Sequence, residues 1–89
     1  MKYNLRLTHK AKKDLVSLNN AEQKRIIQKL KFFIGSKNPL HYAKKLNNLR
    51  LGTYRFRIGD YRAIFDIDKN GNIFLLTILR IKHRKEVYE

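Results

Sequence analysis

The apolar residues of this chain change their spacing twice, and the changes divide it into three parts. Near the amino terminus Leu5 and Leu7 alternate with polar neighbours, which is typical of a short strand. Apolar residues then recur at helical spacing in two runs, first from Ala11 to Leu18 and then from Ile26 to Ile34. This spacing predicts two short helices, each with one apolar stripe.

Polar residues and glycine mark the ends of these helices. Thr8 is predicted to cap the first helix. Asn20 with Gln23 resembles a capping box for the second helix, and Gly35 predicts its end. Because one or two residues join the helices, we expect an antiparallel helical hairpin that must bury its stripes against other elements.

From Tyr54 onward the spacing becomes two, which predicts strands. Gly59-Asp60 has the residue order of a type II′ hairpin turn, and the next strand begins at Tyr61. After a polar turn at residues 68–72, residues 73–81 are almost continuously apolar and predict a third strand. Residues 38–51 are predicted to be mostly irregular. The fold class is therefore α+β: an N-terminal strand, a helical hairpin and an antiparallel three-strand meander, with the helices packed on one face of the sheet.

The Gly59-Asp60 turn also predicts which residues face each other. It pairs Arg57 with Arg62, and Arg55 with Ile64, so the three arginines share the face opposite the helices. Like charges placed so repel each other, which favours an anion between them, and guanidinium groups match phosphate oxygens. The alternative is that these are ordinary outward positions of an exposed strand pair. The pattern gives the two interpretations equal weight.

The register of the last strand is ambiguous. A five-residue turn places Arg80 and Lys82 on the arginine face, together with Phe74, Leu76 and Ile78. A turn made of Asn70-Gly71 alone reverses the two faces. We favour the five-residue turn, because the shorter one would place Arg80 among the core residues.

The composition gives the chain a strong positive charge. The 89 residues are predicted to form one domain, residues 1–89, with 21 Lys or Arg against 7 Asp or Glu and a net charge of +14. Such an excess is typical of a protein that binds polyanions, with nucleic acid ahead of an anionic membrane or an acidic protein. The chain has no Cys, no signal-peptide pattern and no apolar run of membrane-spanning length, so we predict a cytoplasmic protein with no membrane association.

These residues could support cleavage of RNA without a metal. The 2′-hydroxyl can attack its own phosphate if side chains move protons and stabilise the charge on the phosphoryl oxygens. His83 is the only histidine near the basic cluster and is the candidate for proton transfer, although it could be an ordinary surface residue. Residues 66–73 copy the start of a calcium loop, but Thr77 stands where that loop needs Glu. We predict no metal and no cofactor.

Two segments carry a resemblance to a known family. Residues 54–65 and 81–88 resemble the C-terminal half of a RelE-type toxin, within the RelE/ParE toxins of type II toxin–antitoxin systems. The resemblance implies an mRNA interferase that enters the ribosomal A site, on the 30S subunit, and cuts the mRNA there. It also implies a cognate acidic RelB-like antitoxin that silences the toxin.

The resemblance assigns roles to individual residues by position. Arg62 corresponds to the phosphate-binding arginine, while Arg55 and Arg57 match basic residues that serve proton transfer and charge stabilisation. Arg84 and Tyr88 match the C-terminal basic residue and the tyrosine that stacks on mRNA. The predicted catalytic residues are Arg57, Arg62, His83, Arg84 and Tyr88, and the predicted RNA- or phosphate-binding residues are Arg55, Arg57, Arg80 and Lys82.

Two other functions remain open at this point. A ParE-type toxin would share the fold but inhibit DNA gyrase without cutting RNA. A basic RNA-binding module would share the charge but have no catalytic activity.

Overall fold

The computed structural model describes residues 2–46 and 52–87. Within these ranges five strands form one mixed sheet with the order β1-β5-β4-β3-β2. The strands are β1 (Lys2–Leu7), β2 (Ala43–Lys45), β3 (Tyr54–Ile58), β4 (Tyr61–Asn70) and β5 (Ile73–His83). The helices are α1 (His9–Val16) and α2 (Asn20–Gly35), and two 3₁₀ turns cover Pro39–Tyr42 and Arg84–Glu86.

The predicted α+β class and the order of its elements are confirmed, with two additions at the sheet edges. Strand β1 pairs with β5 in parallel, from Lys2 opposite Ile73 to Leu7 opposite Ile78, so the sheet is mixed rather than antiparallel. Strand β2 pairs with β3 inside the stretch that was predicted to be irregular. Local spacing does not reveal either pairing, because β2 has three residues and the partner of β1 lies some 70 residues away in the sequence.

Side-chain caps begin both helices. The Thr8 Oγ1 accepts a hydrogen bond from the Ala11 N–H at 3.1 Å, as predicted. The second cap is Asn19 rather than Asn20, because the Asn19 Oδ1 accepts from the Glu22 N–H at 2.9 Å while Asn20 is already helical. Helix α2 ends at Gly35, as predicted. None of the helices in the described ranges is long and apolar enough to cross a membrane.

Both helices pack on one face of the sheet, which holds the main core. Phe56 and Phe65 are fully buried and their rings stack at 4.4 Å, with the ring of Phe33 from α2 a further 4.5 Å from Phe56. The prediction that the helices pack on the face of β3 and β4 opposite the arginines is thus confirmed. The helices contribute the buried residues Ala11, Leu15, Ile26, Leu30 and Phe33.

The predicted register of β5 was wrong in its first half. Asn70 pairs with Ile73, which leaves Gly71 and Asn72 as a two-residue turn. Phe74, Leu76 and Ile78 therefore belong to the core face and not to the arginine face. The alternative turn at Asn70-Gly71 is offset by one residue from the observed turn, but it gives the same facing for this half of the strand.

A β-bulge at Leu79 explains why Arg80 and Lys82 nevertheless reach the arginine face. Phe65 pairs with Ile78, whereas the adjacent Ile64 pairs with Arg80, so Leu79 is an extra residue on β5. One extra residue reverses which face the following side chains occupy. The bulge therefore combines an apolar first half of β5 in the core with a basic second half on the opposite face.

Candidate functional site

Three cations lie side by side on the face of the sheet opposite the helices. Arg57 on β3 is paired with Arg62 on β4, which is paired in turn with Lys82 on β5. Directly opposed residues share a face, and neighbouring strands are separated by about 4.8 Å. We call Arg57, Arg62 and Lys82 the cation row. Such a row concentrates positive charge at one place on the sheet.

The neighbouring positions on this face are partly covered. Ile64, between Arg55 and Arg80, is fully buried and packs with Leu46 and Val87 in a small second core. Arg55 is 7% exposed and Arg62 is 5% exposed, so neither is an ordinary outward residue of a bare strand pair. Leu46 and Val87 therefore cover part of the arginine face.

Arg62 is held against the turn between β3 and β4. Its Nη1 donates hydrogen bonds to the carbonyl oxygens of Gly59 at 3.1 Å and Tyr61 at 2.9 Å. The side chain also lines an open depression of about 430 Å³ together with Arg84, Lys85 and Val87. A fixed guanidinium with little water around it attracts an anion more strongly than a fully solvated one.

The second 3₁₀ turn is held beside the cation row by contacts between Arg84 and Asp60. The Arg84 N–H donates to the Asp60 carbonyl oxygen at 2.7 Å, and the Arg84 Nε lies 3.4 Å from the Asp60 Oδ1. Val87, directly after this turn, is buried against Leu46 and Ile64. These contacts place Arg84 at the rim of the depression that Arg62 also lines.

His83 begins this 3₁₀ turn and acts as its cap. Its Nδ1 accepts a hydrogen bond from the Lys85 N–H at 3.2 Å, and its own N–H donates to the Glu86 Oε1 at 3.3 Å. The ring meets the Tyr61 ring edge-on at 5.4 Å. An Nδ1 that accepts a hydrogen bond places the proton of the neutral imidazole on Nε2.

Arg80 shares the face of the cation row, but its guanidinium turns toward α1. The Arg80 Nε lies 2.7 Å from the Asp14 Oδ2, and its Nη2 lies 3.0 Å from the Asp14 Oδ1. The structure therefore brings Arg57, Arg62 and Lys82 together in one row and directs the Arg80 head group to a carboxylate. Tyr88 lies outside the described residues.

Sequence reasoning missed two carboxylates that organise these cations. The Glu86 Oε2 lies 3.7 Å from the Lys82 Nζ, and its other oxygen binds the His83 N–H. The spacing of three residues between His83 and Glu86 is that of a capping box and could have revealed this contact. No local sequence pattern identifies Asp14 as a partner of Arg80, because the two residues are 66 positions apart. Among the described residues, no group of three or more His, Cys, Asp or Glu could hold a metal ion.

Comparisons with known proteins give the family of this chain. The family described as "ParE toxin of type II toxin-antitoxin system, parDE" matches residues 5–88. Toxin RelG of Mycobacterium tuberculosis is 32% identical over 90 residues, which cover 99% of this chain and 98% of that protein.

Solved structures agree with the sequence matches. A chain of the RelBE toxin–antitoxin complex of Mycobacterium tuberculosis superposes with a TM-score of 0.71 and 30% identity, over 94% of this chain and 93% of that one. A chain of the archaeal RelE–RelB complex of Pyrococcus horikoshii OT3 has a TM-score of 0.66 at 24% identity, over 94% and 97% of the two chains, and so shows the shared fold. The protein belongs to the RelE/ParE family of type II toxin–antitoxin toxins.

Proposed function

We propose that this toxin is a metal-independent endoribonuclease that cuts mRNA in the ribosomal A site and thereby arrests translation. One observation carries the proposal: the buried Arg62 is held by two backbone carbonyls between Arg57 and Lys82. A rigid guanidinium flanked by two further cations suits a phosphate whose negative charge increases during the reaction.

The proposed reaction begins with attack of a ribose 2′-hydroxyl on the adjacent phosphate, while a water molecule takes up the hydroxyl proton. The bond from phosphorus to the 5′ oxygen of the next nucleotide breaks, and a 2′,3′-cyclic phosphate forms. Arg62 binds the phosphoryl oxygens with its planar fork, while Arg57 and Lys82 stabilise the same charge from either side. Arg57 is exposed and can approach the RNA strand, whereas Arg55, two residues earlier on β3, is buried and adds positive charge on the same face.

His83 contributes to this site through its position. To accept a proton at Nε2, the neutral ring would have to carry its proton on Nδ1, and this would break the hydrogen bond from the Lys85 N–H. We therefore infer that His83 mainly holds the 3₁₀ turn that carries Arg84. The leaving 5′ oxygen is then protonated by Lys82, which lies in the row, or by water.

The remaining predicted residues have supporting roles in the proposal. Arg84, at the rim of the depression, contacts an RNA phosphate next to the cleaved one. Tyr88, which follows the buried Val87 in the sequence, stacks on a base of the mRNA. Arg80 has a structural role, because its guanidinium binds the Asp14 carboxylate, which offsets its charge.

We further propose that a RelB-like acidic antitoxin inhibits this toxin. Two solved structures with a similar fold are toxin–antitoxin complexes. The net charge of +14 favours an acidic partner, because complementary charges steer association and select partners. A carboxylate of the antitoxin placed on Arg62 would occupy the position of the RNA phosphate and block cleavage.

A ParE-type toxin that inhibits DNA gyrase is the second candidate function. The description of the matching family names ParE toxins. The cation row gives no advantage to an inhibitor that cuts nothing, so we favour the nuclease. A basic RNA-binding module without catalytic activity would not be expected to belong to a toxin family.

The two toxins are separated by paired assays on the purified protein. The nuclease proposal predicts that mRNA is cut in a translating extract, that free mRNA is left intact, and that gyrase supercoiling proceeds normally. Inhibited supercoiling with intact mRNA would instead support the gyrase inhibitor.

A further inference from the structure

A chain of aromatic rings runs from the core to the surface on the helix side of the sheet. The stack of Phe65, Phe56 and Phe33 continues to Tyr42, whose ring lies 5.1 Å from that of Phe33. Tyr42 is 40% exposed, and Phe32, whose ring is 5.5 Å from Tyr42, is 54% exposed. We call Phe32 and Tyr42 the aromatic platform. The core stack holds it in place from beneath.

A lysine lies beside each ring of this platform. The Lys29 Nζ lies 5.5 Å from the centroid of the Phe32 ring. Lys37 lines a depression of about 350 Å³ beside Tyr42, whose other walls are Ser36, Asn38 and His41. Residues 23–59 contain ten Lys or Arg and no Asp or Glu. The platform therefore lies in a part of the chain that has many cations and no carboxylate.

Flat exposed rings beside cations fit one class of ligand better than others. An unpaired nucleobase stacks on an aromatic ring, and the neighbouring phosphates pair with lysines. An acidic peptide could form ion pairs with the lysines, but its carboxylates would not stack on the two exposed aromatic rings. We propose that the platform stacks on an unpaired base of an RNA strand, with Lys29 and Lys37 contacting the flanking phosphates.

This surface is separate from the proposed site of cleavage. The platform extends from α2 and the first 3₁₀ turn, whereas the cation row lies on the face of the sheet opposite the helices. The protein would then contact RNA on two opposite sides. Contacts at the platform would add affinity without taking part in the reaction.

Fluorine NMR can observe Tyr42 directly. The full chain is labelled with 3-fluorotyrosine, and the Tyr42 resonance is assigned with Tyr42→Phe. The probe is a 2′-O-methyl octaadenylate, which cannot be cleaved by attack of a 2′-hydroxyl, and the comparison is an abasic strand of equal length. We expect the adenylate alone to shift the Tyr42 resonance strongly. We expect Phe32→Ala to remove this shift and weaken binding about tenfold.

Matched variants assign the effect to the platform. Val16→Ala removes another exposed apolar side chain, 67% exposed at the end of α1, and should leave the shift and the affinity unchanged. Circular dichroism of Phe32→Ala and Val16→Ala checks that both variants are folded. Arg62→Ala should keep the Tyr42 shift, so a failure of the nuclease proposal would not imply a failure at the platform.

Three results would overturn the inference. Equal shifts with the adenylate and the abasic strand would mean that charge alone acts at this surface. A shift with polyglutamate but not with the adenylate would make the surface a site for an acidic protein. An unchanged Tyr42 resonance at saturating adenylate would show that the platform is not used for RNA.

Discussion

The Asp14 carboxylate joins α1 to β5 through Arg80. Its two oxygens accept hydrogen bonds from the Arg80 guanidinium, and the Oδ2 also accepts from the Ile81 N–H at 2.9 Å. On the other side of Arg80, the Thr8 Oγ1 donates to the Leu79 carbonyl oxygen at 3.0 Å. These contacts give hydrogen-bond partners to backbone groups at the edge of β5 beyond the end of β1, where the bulge occurs. They therefore support the bulge that places Lys82 beside Arg62.

Replacing Asp14 with Asn should destabilise the protein at neutral pH. Burial alone would raise the pKa of Asp14, but the hydrogen bonds from Arg80 and Ile81 and the charges of Arg80 and Lys82 outweigh it and lower the pKa. The ionised form is thus the stabilising one. We expect Asp14→Asn to reduce the free energy of unfolding by about 2 kcal/mol at pH 7, measured by urea denaturation.

The pH dependence of this effect follows from the lowered pKa. A carboxyl group whose pKa is lowered by folding stabilises the protein above its unfolded pKa, and it loses this contribution as the pH falls through the folded value. The difference between the parent and Asp14→Asn should therefore shrink below about pH 4. Asp68→Asn, at an exposed position of β4, is the control and should have little effect. A difference of equal size at pH 7 and pH 3 would contradict the assignment.

Gly52→Ala should disturb the second core beneath the site. A Cβ at Gly52 would lie 2.6 Å from the Ile64 Cγ2 and 3.1 Å from the Leu79 Cδ1, and the φ of Gly52 is +153°. Gly71→Ala is the comparison variant, because the φ of Gly71 is +61°, which Ala can adopt at a modest cost, and the added Cβ would have no atom within 4 Å. We expect Gly52→Ala to lower the free energy of unfolding by about 2 kcal/mol more than Gly71→Ala. Equal losses in thermal or urea denaturation would mean that Ile64 is not closely packed there.

Two variants of His83 separate capping from proton transfer. An Asn side chain can accept a hydrogen bond from the Lys85 N–H in place of the imidazole Nδ1, whereas Ala cannot. If His83 acts as a cap, His83→Asn should retain most of the RNA-cleaving activity and His83→Ala should lose about tenfold. If both variants lose activity equally and the pH profile of the rate flattens, His83 transfers a proton and the capping role is secondary.

Local chemistry explains which structural features could be predicted from the sequence. The pairing of Arg57 with Arg62 follows from the Gly59-Asp60 turn, since a two-residue turn fixes the register of its strands. The facing of Lys82 could not be derived in this way, because it depends on a bulge at Leu79. That bulge is supported by Thr8 and Asp14, which lie 71 and 66 residues from their partners. The second core beside Arg55 and Arg62 likewise could not be predicted, because Leu46 and Val87, which pack there on Ile64, are 41 residues apart in the sequence.

Mapping mRNA ends tests the central claim about Arg62 most directly. The purified parent, Arg62→Lys, Arg57→Ala and the control Arg6→Ala, an exposed arginine on β1, are each added to a translating extract. Primer extension then locates any new mRNA ends. Arg62→Lys keeps the positive charge but loses the planar fork, and circular dichroism verifies its fold.

The account predicts new ends at A-site codons with the parent and with Arg6→Ala. It predicts about 100-fold less cleavage with Arg62→Lys and a smaller loss with Arg57→Ala. It also predicts that mRNA without ribosomes stays intact. Intact mRNA with the folded parent, or undiminished cleavage by a folded Arg62→Lys, would contradict the role of Arg62 in binding the reacting phosphate.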